Sequence, residues 1–246
     1  MKAKLNSNLL KLIAITAMTL DHIAWLVFPG YSTDPLPLVL HIIGRITCPI
    51  MCYFVAEGYR YTKNINKYTA RLFLFAVISH VPYMMASINF ANWKSLIPFL
   101  CGSVLNQTSV MWSLAWGLVM LRIADSEKLR GYAKALLIIL ICAVAFPADW
   151  SCIASLTVVV FGTNRGNFKA QMLWMLFYAA IYATVYFFAL DPVYGIMQLA
   201  VVLAIPLLTA YNGERGRSPK VNKIMKWAFY IYYPLHLMIL GLIKLL

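Results

Sequence analysis

The sequence predicts an all-α polytopic membrane protein, a single transmembrane domain over residues 1–246 with about nine helices. Three observations carry this. Of its residues, 62% are hydrophobic and only 12% charged, with a mean hydropathy of +0.75, whereas a soluble domain carries about 25% charged residues. Apolar runs near the length of a bilayer span recur from end to end. The basic residues cluster in alternate breaks between those runs, as the positive-inside rule requires.

The first run, residues 9–28, follows Lys2 and Lys4. That start resembles a signal peptide, but no small-residue cleavage site follows a short apolar core. The run continues to almost a full span, so it reads as the first helix. Further runs cover 38–59, 70–87, 96–122, 135–147, 150–162, 170–190, 193–210 and 227–246. Two of them, 135–147 and 150–162, are too short to cross separately as upright helices. They read as a broken pair or as one re-entrant unit. No linker, low-complexity tract or internal repeat interrupts the series.

The polar breaks on one side are "YRYTKNINKYTAR", "ADSEKLRGYAK", "TNRGNFK" and "NGERGRSPKVNKIMK"; on the other lie "PGYSTDPLP", "NWKS", "PADW" and "DP". Of the 21 Lys and Arg residues, all but Arg45, Lys94 and Lys244 fall in the first set, at its edge (Arg122) or near the N-terminus. The N-terminus is therefore expected in the cytoplasm and, after nine crossings, the C-terminus outside. Topology and attraction to anionic lipid account for the net charge of +13 without a nucleic-acid partner. Cys48, Cys52, Cys101, Cys142 and Cys152 sit in apolar runs with no metal-ligand spacing, and read as packing residues.

Against this background the polar residues at membrane depth stand out: Asp21, His22, His41, Arg45, Glu57, His80, Asn106, Asp149 and His236. Such groups face a cavity or one another and mark functional paths. Counting inward from helix ends places Asp21, His22, Arg45 and His236 in one slab roughly 5 Å thick in the outer half of the membrane. Asp21 and His22 project about 100° apart, so they do not form a dyad with each other. Asp21 is expected to pair with Arg45, while His22 points into whatever the bundle encloses. Lys11 precedes His22 by eleven positions, which returns to within about 20° of the same face, about 16 Å along the axis. A long ligand, anionic at one end and reactive at the other, suits that stripe, and an acyl-coenzyme A has this form.

The blocks "LKLIAITAMTLDHI", "IIGRITCPIMCYFVAEGYRYT", "YTARLFLFAVISHVPY" and "FYIYYPLHL" resemble the signature blocks of the TraX family, whose name-giver is the F-pilin acetylase of conjugative plasmids. The resemblance is close over the first 87 residues and good in the last helix. The family is related to the membrane-bound acyltransferase superfamily, whose motif of a basic residue, ten residues and a histidine is matched by Lys11 and His22. The resemblance implies a multi-pass enzyme of the bacterial inner membrane. Its acetyl donor would be cytoplasmic acetyl-coenzyme A, with no metal, and its acceptor the N-terminal amine of a pilin or another envelope acceptor on the far side. Two blocks depart from the family pattern: Asp149-Trp150-Ser151 stands where Asp-Tyr-Gly is common, and "TSVMWSLAWG" follows Asn106 where Phe-Thr-Leu is common.

On this reading His22 is the general base, Arg45 holds Asp21 and orients the site, and His236, Tyr233 and Asn106 are candidate oxyanion donors. Asp149 joins Asn106 and Tyr233 on the acceptor side. Lys11, Arg60, Lys63 and Arg71 are the candidates for the coenzyme's phosphates. Direct transfer and an acetyl-histidine intermediate both remain open. So do three other readings: an acetyltransferase acting on an envelope sugar, a proton-coupled transporter using Asp21, His22, His80 and His236 as a relay, and a non-catalytic assembly scaffold.

Overall fold

The computed structural model describes residues 5–87, 90, 92–97 and 103–246, and among them every regular element is helical. Lys2, Lys4 and Cys101 lie outside the described residues. Helix α1 (Ser7–Val27) opens on Asn6, whose side chain accepts from the Leu9 N–H and satisfies one of the free donors of the first turn. Its small and apolar face, Leu10, Ala14, Ala17 and Ala24, is buried, while Leu9, Leu12, Ile23 and Val27 face outward.

The run expected as one helix over 38–59 is broken. Helix α2 (Pro35–Gly44) ends, and α3 (Thr47–Tyr61) begins after Arg45 and Ile46. The Arg45 N–H is shared between the carbonyls of His41 and Ile42, which tightens the last turn. Pro49 then falls in the first turn of α3, where its missing N–H costs nothing. Helix α4 (Ile65–Ala86) starts on an Asn64 cap.

The expected helix 96–122 is a second correction. Trp93–Leu96 is a single 3₁₀ turn, and α5 runs only over Val110–Ala124. Residues 103–109 are instead tied to the connection between α6 (Gly131–Ala145) and α7 (Ser151–Thr163). Gln107 donates to the Pro147 carbonyl and Asp149 to that of Thr108, both at 2.8 Å. Backbone groups that cannot be helical at this depth thereby satisfy one another.

Helix α8 (Phe168–Ala189) is followed by α9 (Pro192–Met197), a 3₁₀ stretch Gln198–Leu203, and α10 (Ala204–Thr209). The last helix, α11 (Pro219–Leu245), takes in the basic stretch "PKVNKIMK" ahead of the apolar run expected from 227. Among the described residues, six helical stretches are long and apolar enough to cross a membrane: Ser7–Val27, Pro35–Tyr61, Ile65–Ala86, Phe168–Ala189, Pro192–Thr209 and Pro219–Leu245. Helices α5, α6 and α7 are apolar but shorter.

Small residues bring the inner helices together. Between α5 and α7, a β-carbon on Gly117 would lie 2.9 Å from the Ser155 α-carbon, and the hydroxyls of Ser113 and Ser155 meet at 2.9 Å. Helix α1 lies against α2, α3 and α11, so it forms one wall of the space the bundle encloses.

Candidate functional site

The two breaks in helical regularity, at Arg45 and at Gln198, face each other. The Arg45 guanidinium donates to the Gln198 side-chain oxygen at 3.0 Å, to Asp21 Oδ2 at 2.8 Å and, through Nε, to the His41 carbonyl at 3.2 Å. It also lies over the Trp150 ring, 5.2 Å from its centroid. The other Asp21 oxygen is 2.6 Å from His41 Nδ1. Asp21 is thus paired with Arg45, and both its oxygens are occupied. A carboxylate at this depth is stable only with such partners.

One residue further along α1, His22 points away from that network. Its Nδ1 lies 2.8 Å from Nε2 of His236 on α11, and the two rings are stacked with centroids 5.1 Å apart. His236 Nδ1 is in turn 2.9 Å from the Tyr232 carbonyl. One turn earlier on both helices, Thr19 and Tyr232 are joined hydroxyl to hydroxyl at 2.8 Å. The four residues placed in one slab by counting therefore assemble into two adjoining pairs.

His22 stands where two cavities meet. The larger, about 450 Å³, runs between α1, α3, α4, α5 and α11. Its far end carries Lys11, Lys63, Arg71, Arg215 and Lys226; its near end carries His22, Asp21, Asp149, Trp150 and Tyr233. The smaller, about 120 Å³, is bounded by those same residues except Tyr233, together with Asn106, Arg45 and an aromatic wall that includes Trp25, Tyr31, Tyr182 and Tyr186. Lys11 lies between two rings, 5.1 Å from Phe54 and 5.4 Å from Phe229. Arg71 lies among Tyr68, Tyr230 and Trp227 at 5.4, 5.1 and 5.8 Å. Aromatic faces hold these cations at the mouth while leaving their donors available to an anion.

Of the sequence candidates, His236 meets His22 but lines neither cavity, and Arg60 is displaced. It lies off both cavities and pairs with Asp125 at 3.2 Å, because α3 presents it toward the end of α5. His80 also stands apart: its ring nitrogens meet Thr108 Oγ1 at 3.0 Å and the Leu96 carbonyl at 2.8 Å, and it lines neither cavity. Sequence reasoning gave no role to His41 or Gln198, nor to Arg215 or Lys226 at the mouth. The spacing of His41 from Arg45, one helical turn, was the signal available for the first.

The family model described as TraX protein matches residues 6–244. This chain belongs to the TraX family. Among curated relatives of this TraX chain, the probable fimbrial assembly protein FimC, serogroup H1, of Dichelobacter nodosus is 32% identical over 237 residues, covering 94% of the chain and 92% of the relative. The uncharacterized protein RP591 of Rickettsia prowazekii (strain Madrid E) is 30% identical over 95 residues, 39% of the chain and 34% of that protein. No solved structure is significantly similar. In the Asp149 loop Ser151 has φ 50°, directly after Trp150 at φ 62°. Two successive left-handed residues other than glycine mark the Asp149 loop as locally strained.

Proposed function

We propose that the chain is an integral-membrane acetyltransferase with nine crossings, its N-terminus cytoplasmic and its C-terminus outside, in the bacterial inner membrane. It takes acetyl from cytoplasmic acetyl-coenzyme A to the N-terminal amine of a pilin-like acceptor on the other face. The supporting observation is the cavity that joins five cations at one end to His22 at the other, and meets a second cavity there. A diphosphate-bearing thioester suits the first chamber, and family membership together with the fimbrial assembly relative favours a pilin for the second.

In this reaction His22 takes a proton from the acceptor amine as its nitrogen attacks the thioester carbonyl. The new C–N bond forms, the C–S bond breaks, and the proton passes to the departing thiolate. A positioned base contributes about 10²–10⁴-fold. Tyr233 lines the donor chamber beside His22 and offers its phenol to the developing oxyanion. Asp149, which borders both chambers, accepts a hydrogen bond from the acceptor's neutral amine and orients it toward the thioester. Asn106 borders only the acceptor chamber. Lys11, Lys63, Arg71, Arg215 and Lys226 meet the phosphates. A proton relay would need His80 beside the other histidines, and its separate bonding to Thr108 and Leu96 argues against that.

The test uses the purified protein in detergent with acetyl-coenzyme A and a synthetic pilin N-terminal peptide. Binding of the donor and peptide-dependent release of free thiol are expected, with release lost in His22→Ala. Absence of both in the wild type, or an unimpaired His22→Ala, overturns the reading; transfer to a glycan but not to the peptide overturns the choice of acceptor.

A further inference from the structure

The contacts of His236 fix more than its own place. A backbone carbonyl only accepts hydrogen bonds, so the His236 Nδ1 that meets the Tyr232 carbonyl at 2.9 Å carries a hydrogen. A neutral His236 then has only a lone pair on Nε2. The hydrogen in the 2.8 Å contact between the two histidines must therefore come from Nδ1 of His22. That leaves His22 Nε2 without a hydrogen, and it has no hydrogen-bond partner among the described residues. The imidazole sits at the junction of the two cavities.

The geometry points to His236 as a positioning residue: its Nε2 lone pair holds His22 in the Nδ1–H tautomer and leaves His22 Nε2 as the bare base. This replaces the oxyanion role expected from sequence, because neither ring nitrogen of His236 has a hydrogen left to give. The surroundings suit a fixed acceptor. The His236 ring is stacked on Tyr232 (centroids 5.1 Å, 11° between planes) and meets Tyr233 edge-on at 5.6 Å. The Thr19 hydroxyl donates to the Ile15 carbonyl, so Tyr232 must donate to Thr19. The seam between α1 and α11 is thus pinned one turn away from the histidine pair. Of the other charged groups near His22, Asp21 is already engaged with His41 and Arg45, and Asp149 borders the same two cavities with no bond to His22. When His22 accepts a proton at Nε2, its Nδ1–H remains donated to His236, so the pair does not reorganise during the step. This is the work a third group does for an imidazole base, here performed by a neutral histidine.

The role of His236 as a base-orienting group rests on the acyl-transfer reading, but the tautomer does not, and the experiment separates them. Nitrogen NMR on ¹⁵N-histidine-labelled protein in detergent reads the tautomer directly, with the His22 signals assigned by their loss in His22→Asn. In the wild type, protonated Nδ1 and bare Nε2 are expected at His22. In His236→Leu the hydrogen should move to Nε2. In His236→Gln, whose side-chain oxygen reaches about the same point, the wild-type pattern should return. Thiol release should follow the tautomer: kcat falls about 10²-fold or more in His236→Leu with KM for acetyl-coenzyme A unchanged, and recovers substantially in His236→Gln. A hydrogen on Nε2 of wild-type His22 overturns the inference even if His236→Leu fails to fold. So does a folded His236→Leu that matches the wild type in both tautomer and kcat. The expected tautomer in a wild type that releases no thiol leaves the assignment standing and overturns the acyl-transfer reading instead.

Discussion

A methyl group on the α-carbon of Gly44 would lie 2.5 Å from the β-carbon of Asp21. The absence of a side chain at position 44 is therefore what lets α1 and α2 approach until Asp21 reaches both His41 and Arg45. Gly44→Ala forces the helices apart at the one place where a buried carboxylate depends on their contact. Overpacking of this kind costs about 1–3 kcal/mol. The expected result is a lowered midpoint of thermal unfolding in detergent together with loss of thiol release; an unchanged midpoint would show that the helices have room.

The Asp21–Arg45 pair can be separated into charge balance and chemistry. Removing one member leaves an unpaired charge at membrane depth, a loss of about 3–5 kcal/mol. Asp21→Leu is expected to be strongly destabilised, and Asp21→Leu with Arg45→Met to recover most of that stability, since paired apolar replacement of buried ions is often neutral. His41 and Gln198 lose a partner in the double variant, so activity should not return with stability. Unfolding and thiol release measured on the three proteins decide this, and a double variant no more stable than the single would refute charge balance as the main term.

Trp150 forms part of the wall of both chambers, stacked on Tyr182 with centroids 5.4 Å apart and covered by Arg45. Trp150→Ala should join the chambers and admit water to the donor carbonyl. Acetyl-coenzyme A hydrolysis without peptide should then rise while transfer to peptide falls. If the ratio of hydrolysis to transfer stays at the wild-type value, Trp150 does not keep water from the donor.

Ser151 holds a left-handed backbone, φ 50°, that costs an L-residue about 1–2 kcal/mol and glycine nothing. Some of that gain is offset by the extra freedom of glycine in the unfolded chain. Ser151→Gly is expected to raise stability by roughly 1 kcal/mol; a lower unfolding midpoint would mean that the buried hydroxyl matters more than the backbone.

How much of this was legible beforehand follows from what each feature depends on. The helical membrane class rests on composition and run length, which are properties of single segments, and those emerge as helices. The breaks at Arg45 and Gln198 were hidden because the runs around them are evenly apolar, and what bends them is a tertiary hydrogen bond between two distant segments. Depth counting brought Asp21 to Arg45 and His22 near His236, since rise per residue is the same in every helix. It carries no azimuth for partners on other helices, so it gave Arg60 to the mouth and passed over Arg215 and Lys226. The loop 103–109 reads as helix in the sequence because its pairing with 146–150 leaves no periodic trace.

The mouth provides an internal control. Lys11 and Lys226 line the donor chamber, while Arg60, of the same charge, is turned to Asp125 outside it. A charge-assisted bond to phosphate is worth about 1.5–3 kcal/mol, so losing one should weaken binding by roughly 10–100-fold. Lys11→Ala and Lys226→Ala should therefore raise Kd for acetyl-coenzyme A by that factor, with kcat largely kept at saturating donor. The salt dependence of binding should flatten in both, since each removes one phosphate contact. Arg60→Ala should bind as the wild type does at every salt concentration. The comparison is made by calorimetric titration of donor into the three variants. Equal Kd for Lys11→Ala and Arg60→Ala would place the coenzyme's phosphates elsewhere and remove the reason for Lys11 and His22 to share a face of α1.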